Sequence, residues 1–108
     1  MRIDYKPLSV NEVWKGQRFK TDVYKIYERD LLFLLPKFTM PEKPYSVVLT
    51  FGMSNLASDI DNPAKPFIDI LQKKYGFNDK DIMELHLFKH KTEKGKEFID
   101  FSIEHCEV

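Results

Sequence analysis

The chain is organised around residues Tyr45 to Met53, which read Tyr-Ser-Val-Val-Leu-Thr-Phe-Gly-Met. β-Branched and aromatic residues are concentrated here, and such residues favour a well-buried strand. Pro41 to Pro44 form a connector before this strand, and the loop Ser54 to Asn62 follows it. The segment therefore predicts a buried strand that the other elements pack around.

Two helices are predicted, one before and one after this strand. Thr21 or Asp22 caps the first, which runs to about Leu35 and stops at Pro36. Apolar residues at helical spacing predict its core face: Val23, Ile26, Tyr27, Leu31 and Leu34. The second helix begins between Pro63 and Pro66 and stops at Gly76. Its predicted core face carries Phe67, Ile70, Leu71 and Tyr75.

The remaining segments read as strands. Ile3 to Pro7 is a short one, and Ile82 to Lys91 and Glu97 to Glu104 alternate in polarity across the connection Thr92 to Lys96, which predicts a β-hairpin. The order strand-helix-strand-helix-strand-strand predicts an α/β (α+β) fold with a small mixed β-sheet of about four strands flanked by two helices. At 108 residues we expect one domain, residues 1–108.

Composition excludes several classes of protein. With 43% hydrophobic and 31% charged residues, the chain is expected to fold rather than remain disordered. No window approaches the roughly 20 apolar residues of a membrane span, and no signal-peptide core is present, so we expect a cytoplasmic protein without a membrane partner. One cysteine, Cys106, excludes an internal disulfide and a cysteine-based zinc site.

The distribution of charge is more informative than its total. Seventeen basic and seventeen acidic residues cancel, so the net charge does not argue for a nucleic-acid partner. Basic residues nevertheless cluster in two segments on either side of an acidic one that runs from Asp59 to Asp81: Lys15, Arg18, Lys20 and Lys25, and then Lys89, Lys91, Lys94 and Lys96.

Asp59-Ile60-Asp61-Asn62 is the candidate for chemistry. In an extended chain Asp59 and Asp61 project to one side, while Ile60 turns toward the core. Mg²⁺ is commonly held by one or two carboxylates together with substrate phosphate, as phosphodiester hydrolysis requires. The alternative is a capping loop for the second helix. A calcium EF-hand is excluded, since Pro63 occupies the fifth loop position and no glycine the sixth.

A wider set of motifs resembles the RusA family of Holliday junction resolvases, of phage or prophage type. The matching residues are Asp59-x-Asp61-Asn62, Lys65, Asp69, the aspartate-containing turn after Gly76-Phe77, the Pro7-Leu8-Ser9-Val10-Asn11 loop, and Lys20-Thr21. The resemblance implies a Mg²⁺ site, with Mn²⁺ as a substitute, formed by Asp59, Asp61 and Asp79. Asp81 competes with Asp79 for the third place, and Lys65 matches the functional lysine.

The resemblance also implies a homodimer that makes paired nicks in branched DNA. The predicted DNA contacts are Asn11, Lys15, Arg18 and Lys20. Two departures from the family pattern bear on this. The loop before the paired aspartates, Gly52 to Ser58, carries no arginine, so phosphate contacts would shift to Lys15, Arg18, Lys20 and the Lys89 to Lys96 hairpin. Asn78-Asp79 and then Asp81 also stand where the family usually has two adjacent aspartates. Apart from these departures, a ten-residue helix carries the third carboxylate about 15 Å away from Asp61, so that it must fold back or come from a partner subunit.

Several interpretations stay open at this point. Trp14 and Phe19 are either core or dimer contacts, or they stack on splayed bases. His86 and His90 share one side of a strand, where solvated or partly packed positions are favoured over a ligand role. Other functions are a catalytically silent branched-DNA-binding dimer, a nuclease that prefers flaps or forks, and a protein adaptor.

Overall fold

The computed structural model describes residues 1–16 and 19–108. The elements in chain order are β1 (Arg2–Ile3), β2 (Trp14–Lys15), β3 (Phe19–Lys20), α1 (Asp22–Leu34), β4 (Tyr45–Met53), α2 (Ala64–Tyr75), β5 (Ile82–Lys91) and β6 (Phe98–His105). Short 3₁₀ turns lie at Val10–Glu12 and Asp79–Asp81. The predicted fold class is confirmed, with a mixed four-stranded sheet and two helices. In the described ranges, no helix is long and apolar enough to cross a membrane.

The strand order of the main sheet is β1-β6-β4-β5. β4 pairs in parallel with β5 on one side and antiparallel with β6 on the other, so the predicted β5–β6 hairpin is wrong. Thr92 N donates to Met53 O at 3.0 Å, which places the β5–β6 connection at the end of β4. Neighbouring strands are about 4.8 Å apart. The connection between β5 and β6 must span two such spacings to pass the end of β4, and it is long enough to do so.

One face of the sheet carries the core. On β4 the residues Val47, Leu49 and Phe51 are fully buried, and their partners on β6 are Ile103, Phe101 and Ile99. The Phe67 ring of α2 packs against Phe51 and Phe101 with centroid separations of 6.3 and 5.7 Å. Intervening β4 residues such as Val48 and Thr50 are only half-buried. The helices therefore cover the face that carries Val47, Leu49 and Phe51.

The first helix is capped as predicted, but its buried face differs. Thr21 Oγ1 accepts a hydrogen bond from Tyr24 N at 3.1 Å, and Leu35 ends the helix. Tyr24, Tyr27 and Leu31 are its buried residues. Val23, Ile26 and Leu34 are 55%, 48% and 45% exposed, so their placement in the core was wrong. The error arose because α1 carries two adjacent apolar stripes, and the one that includes the Tyr24 ring faces the core.

The second helix has the predicted bounds. It begins at Ala64, directly after Pro63, and ends at Gly76, whose φ of 71° is left-handed. Glycine adopts this conformation without steric cost, which makes it a natural helix terminator. A second, smaller sheet formed by β2 and β3 was not predicted.

Candidate metal and nucleic-acid site

The paired aspartates lie on a turn that leads into α2. Asn62 N donates to Asp59 O and Ala64 N to Asp61 O, both at 3.1 Å. This backbone is folded rather than extended, and Ile60 is 43% exposed instead of anchored in the core. The predicted extended geometry was therefore wrong, because two successive turns join the loop to the helix. Asp59 and Asp61 are both exposed at the start of α2.

Neither aspartate caps the helix with its carboxylate. Pro63 is the N-cap residue of α2, and no side chain forms a cap hydrogen bond there. Asp61 contributes only its backbone carbonyl, to Ala64 N. The alternative interpretation of these residues as helix caps is therefore wrong.

Lys65 lies between two other carboxylates. Its Nζ is 2.9 Å from Asp69 Oδ1, one helical turn on, and 3.4 Å from Asp79 Oδ2. Asp79 reaches this position because the chain turns back after Gly76 and Asp79 N donates to Gln72 Oε1 at 2.9 Å. The acidic turn thus folds back along α2, one of the two routes expected for it. Asp79, rather than Asp81, contacts Lys65.

The charge of Lys65 is stabilised by its neighbours. The contact with Asp69 raises the pKa of the Lys65 ammonium above its usual value, partial burial opposes this, and Asp79 adds to the increase. A raised pKa keeps the amine protonated at neutral and moderately alkaline pH. Lys65 is therefore suited to stabilising negative charge rather than to accepting a proton.

The loop before the first helix packs against the aspartate turn. Val10 N donates to Asn62 O at 2.9 Å, and Ser9 and Glu12 form a capping box that fixes the loop. A small groove of about 110 Å³ lies where this loop meets α2, and Lys20, Lys65 and Asp69 are among its lining residues. Two distant parts of the sequence thus form one surface.

The other candidate DNA contacts lie on or near this loop. Asn11 and Lys15 are exposed. Lys20 Nζ lies 5.6 Å from the centroid of the Trp14 ring, which lines the same groove. Arg18 lies outside the described residues.

Trp14 and Phe19 are surface residues. Trp14 is 51% exposed on β2 and Phe19 is 72% exposed on β3, so a core position is wrong for both. An exposed aromatic ring beside a lysine is the combination that stacks on unpaired bases in single-stranded DNA sites. Base stacking and contact with a partner subunit both stay open as roles.

Two lysines of β5 reach the loop that lacks arginine. Lys89 Nζ donates to Leu56 O at 3.0 Å and to Ser58 O at 2.8 Å, and Lys91 Nζ donates to Ser54 O. Positive charge at this loop is therefore supplied from another strand. Alternation along β5 is the signal that could have predicted where these two lysines lie. Lys89 and Lys91 are on the same side of the strand as Leu87, toward the helices.

The histidines lie elsewhere. His86 and His90 are exposed on the opposite side of β5, and His86 Nε2 is 3.7 Å from Glu84 Oε1. Solvated positions were favoured for both, and the structure places them so.

The structure brings some of the predicted site residues together and leaves others apart. Lys65, Asp69 and Asp79 form one cluster, directly after the turn that carries Asp59 and Asp61. Within residues 1–16 and 19–108, no three His, Cys, Asp or Glu side chains form a group able to hold a metal ion. No protein-family model matches the chain, and it matches no curated protein.

Proposed function

We propose that this protein is a Mg²⁺-dependent, structure-selective endodeoxyribonuclease that resolves four-way DNA junctions by paired nicks, as its resemblance to the RusA family implies. The observation that carries the proposal is the position of Lys65. Lys65 follows the turn that carries Asp59 and Asp61, and its ammonium group is ion-paired with Asp69 and Asp79. Lys65 and Lys20 line the same groove.

The donor set fits a hard divalent cation. Asp59, Asp61 and Asp79 would hold Mg²⁺, or Mn²⁺ in its place, through carboxylate oxygens. When bound, the ion would lower the pKa of a coordinated water and offset charge on the phosphoryl oxygens. Lys65, kept protonated by its carboxylate neighbours, would stabilise the same charge from its side of the phosphate.

The third carboxylate has two possible sources. Asp79 of the same chain is one source, because it is ion-paired with Lys65, which follows Asp61 by four residues. An aspartate from a partner subunit is the other source, and a homodimer would suit the approximate two-fold symmetry of a four-way junction. In either case the dimer would hold two metal sites, one for each strand cut.

DNA would be held by the basic surface around these carboxylates. Phosphate contacts supply much of the affinity for nucleic acid. Lys20 lines the groove, and Lys15 is exposed on β2. Lys89 and Lys91 give the 54–58 loop a positive charge that its own sequence lacks. The exposed Trp14 ring would stack on a base that is unpaired at the branch point.

The test is cleavage of a labelled synthetic junction by wild type and by Asp61→Asn, with Mg²⁺ or with EDTA. Asp4→Asn is a matched control, since Asp4 is a surface aspartate ion-paired with Arg2 and has no contact with Lys65. We expect symmetric cuts by wild type and Asp4→Asn, and none with EDTA or Asp61→Asn.

Other outcomes identify other functions. Binding without cutting in Mg²⁺ and in Mn²⁺ would replace the proposal with a silent DNA-binding dimer. Faster cutting of flaps or forks than of junctions would change the substrate. Failure to bind any DNA at low salt would favour a protein adaptor.

A further inference from the structure

β5 forms one edge of the main sheet and is ten residues long. Within the described part of the chain, its only strand neighbour is β4, so one side of its backbone has no strand partner. Met83, Leu85 and Phe88 are 54%, 44% and 49% exposed along it. A long edge strand with exposed apolar side chains is a template for pairing with another strand, and monomeric proteins usually protect such edges.

We propose that β5 pairs antiparallel with β5 of a second copy of this chain, across a two-fold axis at Leu85, so that two four-stranded sheets become one. The inference deepens the proposed function by naming the surface of its homodimer. It rests on the homodimer part of that proposal and on none of its nuclease chemistry.

The side chains of β5 are complementary to themselves in this register. Two-fold pairing about Leu85 sets Leu85 against its own copy, and it sets Glu84 against His86 of the second copy, twice per dimer. Glu84 and His86 already lie together on the exposed face, 3.7 Å apart. Met83 lies outside this regular part of β5, because the pairing with β4 shifts register between Ile82 and Glu84. Apolar residues therefore oppose apolar residues, and the carboxylates oppose imidazoles that can donate to them.

Neighbouring registers are less favourable. Pairing about Leu87 would set Leu85 against Lys89, whose ammonium group is held by the carbonyls of Leu56 and Ser58. Pairing about His86 would set the two His86 rings against each other and Glu84 against Phe88. Of these three registers, only pairing about Leu85 sets apolar residues against apolar residues and Glu84 against His86.

The self-complementarity also argues for a second copy over another partner. Each pair uses two residues of the same strand, as the isologous contact of a two-fold dimer requires. The exposed apolar residues of α1, Val23, Ile26 and Phe33, show no such pairing of charges. These α1 residues are the alternative dimer interface, which the test compares with β5.

A cysteine cross-link tests the register without DNA or metal. Cys106 is replaced by serine, and Leu85→Cys or Leu87→Cys is added as the only thiol. Opposed residues of antiparallel strands have Cα atoms about 4.5–5.5 Å apart, within disulfide range. Residue 87 and its copy would be about 13 Å apart along the strands. We expect rapid oxidation of Leu85→Cys to a covalent dimer and little cross-linking of Leu87→Cys.

A charge exchange provides a second test by sedimentation equilibrium. His86→Glu sets two pairs of like charges across the dimer and is expected to weaken association about tenfold, and adding Glu84→Lys to it is expected to restore association. Phe33→Lys on α1 is the control and should leave association unchanged. Circular dichroism checks the fold of each variant.

The outcomes separate the proposals. A monomer at all concentrations overturns the inference and the homodimer together. A dimer that cross-links at residue 87, or that only Phe33→Lys disrupts, overturns the β5 contact and leaves the homodimer in place. Cross-linking at residue 85 by a protein that cuts no DNA supports the interface and overturns the nuclease.

Discussion

Gly52→Ala is expected to destabilise the protein, because the side chains of Phe98 and Thr92 lie where its β-carbon would be. Gly52 is paired with Phe98, and a β-carbon at Gly52 would lie 2.2 Å from Phe98 Cδ1 and 2.3 Å from Cε1. Carbon atoms in contact are normally about 3.5–4.0 Å apart, so the ring or a strand must move by more than 1 Å. Overpacking of this kind costs about 1–3 kcal/mol. For a domain of this size, about 2 kcal/mol lowers Tm by about 10 °C.

Thermal unfolding of a double-mutant cycle measures this contact. With Phe98→Ala in place the ring is gone, and Gly52→Ala should then cost less. The remaining close contact is with Thr92 Cγ2 at 2.9 Å, and alanine is better than glycine within a strand by about 0.5–1 kcal/mol. The coupling between the two sites should be about 2 kcal/mol. An equal cost of Gly52→Ala in both backgrounds would mean that Phe98 does not cover Gly52, and the pairing of β4 with β6 would be incorrect.

Three further outcomes are expected. Lys65→Met should reduce junction cleavage at least about 100-fold, as loss of a transition-state contact does. It should change the free energy of unfolding by under about 1 kcal/mol, because the ion pairs of Lys65 are largely exposed. Equal cleavage by mutant and wild type would exclude the role assigned to Lys65. Asp79→Asn should impair cleavage more than Asp81→Asn, since only Asp79 contacts Lys65, and the reverse ranking would make Asp81 the third carboxylate. Burial alone would raise the pKa of Glu28, but the hydrogen bond from Lys73 Nζ at 2.7 Å helps to lower it below its usual value. The stabilising contribution of Glu28 is therefore present above that usual value and is lost as the pH falls through the lowered pKa. Lys73→Met should therefore reduce Tm at neutral pH, and the difference in Tm from wild type should shrink in acid. A difference that stays constant with pH would contradict this reasoning.

Local signals in the sequence predicted most of the elements. The β4 strand, the Thr21 cap of α1, and the Pro63 and Gly76 boundaries of α2 each depend on residues within a few positions of the feature. Strand order could not be predicted in this way. Alternating polarity shows that β5 and β6 are strands with two different faces, but it does not say which neighbour each one pairs with.

In the candidate site, too, local features could be predicted from the sequence and long-range contacts could not. Asp59, Asp61 and Lys65 are close in sequence and were recognised together, although the turn at Asp59 was predicted as extended chain. The contact of Lys65 with Asp79 spans fourteen positions, and that of Lys89 with Ser58 spans thirty-one. Such contacts depend on how α2 and β5 pack, which no local pattern specifies.

Treatment of a supercoiled plasmid that extrudes a cruciform would distinguish paired cutting from every other activity in one gel. Coordinated nicks across the four-way junction convert the plasmid to a linear form, whereas an isolated nick gives only a relaxed circle. We expect linear product from the wild type in Mg²⁺, and supercoiled plasmid unchanged with EDTA or with Asp61→Asn. Wild-type protein that leaves the cruciform intact in both Mg²⁺ and Mn²⁺ would contradict the resolvase function proposed for this chain.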